Sequence, residues 1–168
     1  MIEEFLAARG ARELAHPGGT LLAHLGRTRD ALADWGARPA LQTAGFAHAA
    51  YGTDGFPHAL VSTDERAVLA DLLGAEAESI VYSYGALDRD FSYPRLLTGV
   101  LRDRFTGRES PVEAARLRDI VELTYANELD IMGHSPHLRR RYATSVKSRL
   151  GAWSAYASLP AVEALERL

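Results

Sequence analysis

The chain has 168 residues, 47% of them hydrophobic and 24% charged, with a formal net charge of −3 and no cysteine. That length and balance fit one folded domain with its own core, and the negative charge leaves no electrostatic case for nucleic-acid binding. The absence of thiols excludes disulfides, zinc–thiolate sites, iron–sulfur clusters and cysteine nucleophiles, so any metal must be held by His, Asp, Glu, Asn or water, a set that suits iron, manganese or zinc.

The start, Met1-Ile2-Glu3-Glu4-Phe5-Leu6, is acidic and has no apolar stretch of signal-peptide length. No run approaches a membrane span, so a cytoplasmic location with no membrane contact is expected. Apolar residues recur at steps of three and four, which predicts helices almost throughout. The first covers about residues 2–8. A second opens at Thr20, an N-cap after the breaker Pro17-Gly18-Gly19, carries Leu21, Leu25, Thr28, Leu32 and Trp35 on one face, and stops at Gly36. A third starts at Pro39, suited to a first helical position, and is expected to run to about Tyr51 before the loop 52–57.

Ser62-Thr63-Asp64-Glu65 is a capping box opening a helix that ends at Gly74, and another helix follows to about Leu87. Residues 91–107, interrupted by Pro94 and Gly99, read as a loop with a short helix. Ser110-Pro111-Val112-Glu113 has the form of a second capping box and is expected to start a long helix to about Met132. Ser135-Pro136 opens one more, to about Leu159, and a short helix closes the chain after Pro160. The expectation is a single all-α domain over residues 1–168. The C-terminal Trp153, Tyr156 and Leu159 have either the core or a second copy of the chain to pack on, so a homo-oligomer is one possible state.

Two histidines stand out. His24 lies on the apolar face of the second helix, and His48 follows Gly45 and Phe46 on the third. Only Gly36-Ala37-Arg38 joins these helices, so they are expected to be antiparallel neighbours. His24 is about eleven residues before that turn and His48 about ten after it, which at about 1.5 Å per residue puts both at similar height. A buried imidazole needs a partner for each ring nitrogen. A metal can take one nitrogen and an outer acceptor the other, or both histidines are core hydrogen-bond nodes.

On the long helix, Leu117, Ile120, Thr124, Asn127 and Ile131 share a face, so Asn127 is expected inside, as a ligand-facing amide or a hydrogen-bond node. Glu128 is one step aside, and Asp130, off this stripe, is expected in solvent. Asp54 is the carboxylate nearest His48 in the chain, either a general base or an Asx-turn residue. Tyr51 is placed to donate a hydrogen bond into the same pocket, and His16 either lines its mouth or caps a turn. His58, His134, His137, Arg102, Arg104 and the run Arg139-Arg140-Arg141 are expected on the surface.

His24, then Ala44-Gly45-Phe46-Ala47-His48, then Leu123 to Asn127 resemble the HD superfamily of helical metal hydrolases. The stretch from Ala44 to about Val81 is distantly similar to the hydrolase domain of RelA/SpoT-type alarmone enzymes. The resemblance covers about residues 24–130 and implies an HD-like helical bundle. It departs where that superfamily has an aspartate after the second histidine, here Ala49, and a late aspartate, here Asn127. The Glu-Asp pair of the alarmone hydrolases falls on Gly52-Thr53, with Asp54 one place on. The string His48-Ala49-Ala50-Tyr51-Gly52-Thr53 also resembles an uncharacterised HD-like branch with His-x-x-Tyr-Gly-Thr in place of His-Asp.

The resemblance therefore implies a small-molecule enzyme with a degenerate metal site, not a standard phosphohydrolase. Its catalytic candidates are His24, His48, Tyr51 and Asp54. Its substrate-binding candidates are His16, Asn127 and Glu128, and His24 and His48 are the metal candidates. One divalent iron, manganese or zinc ion is expected, or none, with the histidines then working directly as acid and base. The alternatives are an inactive HD-like ligand-binding domain and a structural or interaction domain.

Overall fold

The computed structural model describes residues 1–168 and is predominantly helical. The first turn, α1 (Ile2–Leu6), runs into a wider turn at Ala7–Ala11. A two-residue ribbon, β1 (Ala15–His16) with β2 (Gly19–Thr20), then turns the chain into α2 (Leu21–Asp34). The Thr20 hydroxyl accepts from the Ala23 N–H at 3.3 Å, so the cap expected from the sequence is made. Leu21, His24, Leu25, Thr28 and Leu32 form the buried face of α2.

After the short turn, α3 (Pro39–Ala47) packs back against α2. Arg38 clamps that turn to the long helix through two hydrogen bonds to Asp119, at 2.5 and 2.9 Å. Helix α3 ends at Ala47, four residues short of the expected Tyr51, and the chain folds into a tight turn at 48–52. Gly52 makes this possible: its φ is +68°, and a Cβ there would lie 3.0 Å from the Pro57 carbonyl oxygen.

The Ser62 capping box forms with Glu65 and leads through a 3₁₀ turn into α4 (Arg66–Leu73), followed by α5 (Ala75–Gly85). Beyond it lie α6 (Arg89–Ser92) and a 3₁₀ turn at Tyr93–Thr98. An antiparallel hairpin follows, β3 (Val100–Arg102) with β4 (Glu109–Pro111). This hairpin corrects the expected second capping box. Ser110 pairs with Leu101 across the hairpin and Pro111 with Val100. The long helix α7 (Ala114–His134) begins only after Glu113, with no side-chain cap. Strands of three residues are too short to show an alternation that sequence periodicity detects.

Helix α7 is the axis of the molecule. Residues 119–127 are all buried, because α2, α3, α5 and α9 pack against it from different sides. Helix α8 (Pro136–Ala152) starts at a Ser135 cap and folds back along α7. It ends at Ala152, before a 3₁₀ turn at Ser154–Tyr156 and α9 (Leu159–Glu166). Buried Glu122 on α7 ties down the start of α9 by accepting from the Ser158 N–H (2.8 Å) and hydroxyl (2.5 Å). Trp153 is packed inside the chain edge-on to Tyr93, whereas Leu159 is exposed. One apolar cluster connects Leu6 at one end of the chain to Leu165 at the other. No helix is long and apolar enough to cross a membrane.

Candidate functional site

Helices α2, α3 and α7 bring His24, His48 and Asn127 together in the core. His24 Nε2 lies 3.3 Å from His48 Nε2 and 3.0 Å from Asn127 Oδ1. The two rings meet edge to face, with centroids 5.1 Å apart. Both histidines are sealed from solvent. Their equal height follows from the short α2–α3 turn, and Asn127 reaches them because the buried face of α7 runs between the two shorter helices.

The outer nitrogen of each ring is fixed. His24 Nδ1 is 2.6 Å from Asp130 Oδ2, and His48 Nδ1 is 2.8 Å from the Gly45 carbonyl oxygen. Carbonyls and ionised carboxylates only accept, so both histidines donate from Nδ1 and a neutral ring keeps its lone pair at Nε2. Burial, and next the nearby His24 charge, push His48 down to about 3, so it stays neutral. Two imidazole lone pairs and an amide oxygen thus face one another, an arrangement relieved by a proton, by a cation or by a turn of the Asn127 amide that presents its NH2.

Asp130 corrects the sequence expectation. It is not in solvent: its side chain is 6% exposed and accepts from His24 and from Arg27, whose Nε and Nη2 stand 2.6 and 3.0 Å away. Burial alone raises the Asp130 carboxyl, but the hydrogen bonds from His24 and Arg27 outweigh it and bring it down to about 2. The pairing had a legible signal. His24 and Arg27 are three apart on α2, and Asn127 and Asp130 three apart on α7, so each pair shares a face. His134, the next residue of that α7 row, is largely exposed and sets its Nδ1 2.9 Å from the Asp130 carbonyl oxygen.

His16 belongs to the group. Its ring stacks on His24 with centroids 4.0 Å apart. Burial, and next the His24 charge, lower it to about 4. A cavity of about 190 Å³ opens beside the histidines, walled by His16, His48, Phe56, Arg89, Asn127 and Leu138 among others. Ala49, where the HD resemblance expects an aspartate, lies on this wall and offers only a methyl group.

Three candidates lie elsewhere. Because α3 stops at Ala47, Tyr51 turns away from His48 and its hydroxyl donates to Glu78 Oε1 at 2.8 Å, next to Arg66. Asp54 is exposed, and its carboxylate accepts the backbone N–H of Arg89 at 2.8 Å. It is a turn residue with no contact to the histidines. Glu128 pairs with Arg149 at 3.3 Å, beside the Arg89, Tyr84 and Tyr93 cluster and away from the histidines. Arg104, expected in solvent, donates to the Gly85 and Tyr51 carbonyls at 2.7 and 3.2 Å. Arg89 and Tyr93, which border the site, gave no periodic signal, because α6 and the 3₁₀ turn after it are too short to show one, whereas Tyr84 shares the buried face of α5 with Ala77, Ile80 and Val81.

No three His, Cys, Asp or Glu side chains converge on one point, so the third donor to a metal has to be the Asn127 amide. Bonds of about 2.0–2.1 Å at angles between square and tetrahedral put neighbouring ligand atoms about 2.9–3.4 Å apart, and the two separations above fall in that range. The outer partners also match what ligating imidazoles have, a carboxylate on one and a backbone carbonyl on the other. His24, His48 and Asn127 therefore fit a divalent ion, completed by water, although all three are neutral and leave its charge uncompensated.

A family model described as a domain of unknown function (DUF6817) matches residues 5–89. No curated protein and no solved structure matches the chain.

Proposed function

We propose, for a chain that belongs to the DUF6817 family, a small-molecule enzyme on an HD-like helical scaffold whose metal site is reduced to His24, His48 and Asn127. The observation that carries this reading is the convergence of three buried acceptor atoms at 3.0 and 3.3 Å beside a cavity. Their order along the chain, on α2, α3 and α7, is the order that the HD resemblance implies. His24, His48 and Asn127 would hold a divalent ion, which would supply Lewis-acid chemistry at this end of the cavity. Asp130 orients His24, Gly45 orients His48, and the buried walls exclude bulk water from the reacting end of the cavity.

The loss of both HD aspartates argues against the usual phosphohydrolysis. One feature favours a second reading, a domain that binds its ligand without turnover. No unpaired carboxylate lines the cavity: Asp54 is in solvent and Glu128 is taken by Arg149.

Metal analysis of untagged protein, after incubation with Fe²⁺, Mn²⁺ or Zn²⁺ and gel filtration, tests the metal. About one equivalent is expected, lost in His24→Ala and His48→Ala. Asn127→Asp, which restores a charged donor, is expected to tighten binding at least tenfold. No retained metal in the wild type and in Asn127→Asp would refute the metalloenzyme reading and leave the histidines as core hydrogen-bond nodes.

A further inference from the structure

Beyond His48 the wall of the cavity carries Arg89, with Tyr84 and Tyr93 packed against its guanidinium. Tyr84 meets the His48 ring edge-on at 5.6 Å. Arg89, on α6, lines the cavity with its guanidinium carbon 5.8 and 5.7 Å from the ring centroids of Tyr84 and Tyr93. The Arg89 Nε is buried without a hydrogen-bond partner, and so are the Tyr84 and Tyr93 hydroxyls. Both hydroxyls lie near Thr124, whose own proton goes to the Ile120 carbonyl at 2.6 Å and whose oxygen therefore faces them as an acceptor.

Buried polar groups in folded proteins nearly always have partners, so the buried, unpartnered Arg89 Nε at the cavity wall needs an acceptor. The charges agree. Glu128 is the one carboxylate facing this cluster from within, and Arg149 already holds it. Asp54, in solvent, takes only the backbone N–H of Arg89. Arg89 is left as a cation in a low-dielectric wall without a buried counter-ion of its own.

We propose that Arg89 receives the anionic group of a small organic ligand whose body fills the cavity toward His48. A guanidinium accepts a carboxylate or a phosphate in the same forked geometry. Phe56, Ile131 and Leu138 supply apolar wall for the body of the molecule. A cavity of about 190 Å³ is below the usual range for ligand pockets, about 300–1,000 Å³, which limits the occupant to a metabolite smaller than a nucleotide. That this ligand is the substrate rests on the proposed function; the anion site itself needs no metal.

The test is therefore made on full-length protein stripped of metal with EDTA. Inorganic phosphate and sodium benzoate are titrated at constant ionic strength and followed by calorimetry and thermal melting. Saturable binding of one probe is expected, phosphate marking a phosphoryl ligand and benzoate a carboxylate. Arg89→Gln should weaken it at least tenfold, while Arg140→Gln, on the outer face of α8, leaves it unchanged. Binding of neither probe overturns the proposal, as does equal binding by wild type and Arg89→Gln. If Arg89→Gln does not fold, Arg89→Lys, which keeps the charge and loses the fork, takes its place, and unchanged binding in it overturns the proposal as well. Because no metal is present, failure here and failure of metal retention are separate results.

Discussion

Asp130 does more for the site than any residue that touches the cavity. It holds the His24 ring in the form that leaves Nε2 free, and it neutralises Arg27, which also donates to the Pro17 and Gly18 carbonyls at the mouth. Asp130→Asn keeps the shape but removes the charge. It leaves Arg27 unpaired and lets His24 rotate or change tautomer. Breaking a buried ion pair from one side costs about 3–5 kcal/mol, and the lower end, about 3 kcal/mol, is expected because the Arg27 side chain is 27% exposed. Urea unfolding of the variant checks this, and a loss under 1 kcal/mol would show that Asp130 is not the anchor. His24, His48 and Asn127 were legible as polar residues on apolar helical faces. Asp130 offered only its three-residue spacing from Asn127, because it sits at the edge of that face, where rotation alone does not separate a buried position from a solvated one.

At the scale of elements, the early end of α3 decides what surrounds His48. Had the helix continued, Tyr51 would sit one turn beyond His48 on a neighbouring face. The turn at 48–52 instead sends Tyr51 to Glu78 and brings the Gly52 carbonyl against α5. Gly85 is what permits this approach: a Cβ at that position would stand 2.9 Å from the Gly52 oxygen and 3.4 Å from the Tyr51 Cβ. Gly85→Ala must therefore push the 48–52 turn away from α5. A cost of about 1–3 kcal/mol is expected from overpacking of this kind, together with faster amide exchange in residues 49–53. Hydrogen exchange measures both, and wild-type protection in that segment would contradict the account.

For the molecule as a whole, a continuous core encloses titratable groups, and this sets its acid stability. His48 and His16 have pKa values lowered below 6.5, to about 3 and about 4, chiefly by burial. Between those values and 6.5 the unfolded chain binds protons that the folded chain does not, so stability rises with pH in this window and falls as the pH is lowered through it. His48, which is 2% exposed, contributes a slope of up to about 1.4 kcal/mol per pH unit. Asp130 has the carboxylate form of the same linkage: its stabilisation is full above 3.8 and is lost as the pH drops toward about 2. Denaturation midpoints of metal-free protein at pH 4.5, 5.5 and 6.5 should increase in that order. A flat profile would show that the histidines already carry protons in the folded state.

The sequence by itself determined the helical class, the caps at Thr20, Ser62 and Ser135, and the pairing in height of His24 with His48. Each of these depends on neighbours within a turn or on one short connection, and such information is local. Tertiary structure alone decided that Asp130 is inside, that Tyr51 and Asp54 leave the site, that Ser110 pairs in a hairpin instead of capping a helix, and that Arg89 stands unpaired in the cavity wall. Those outcomes depend on which helices close over which faces. A side chain's burial, partner and charge state are properties of the packed neighbours, and here those neighbours come from segments up to 106 residues apart in the chain.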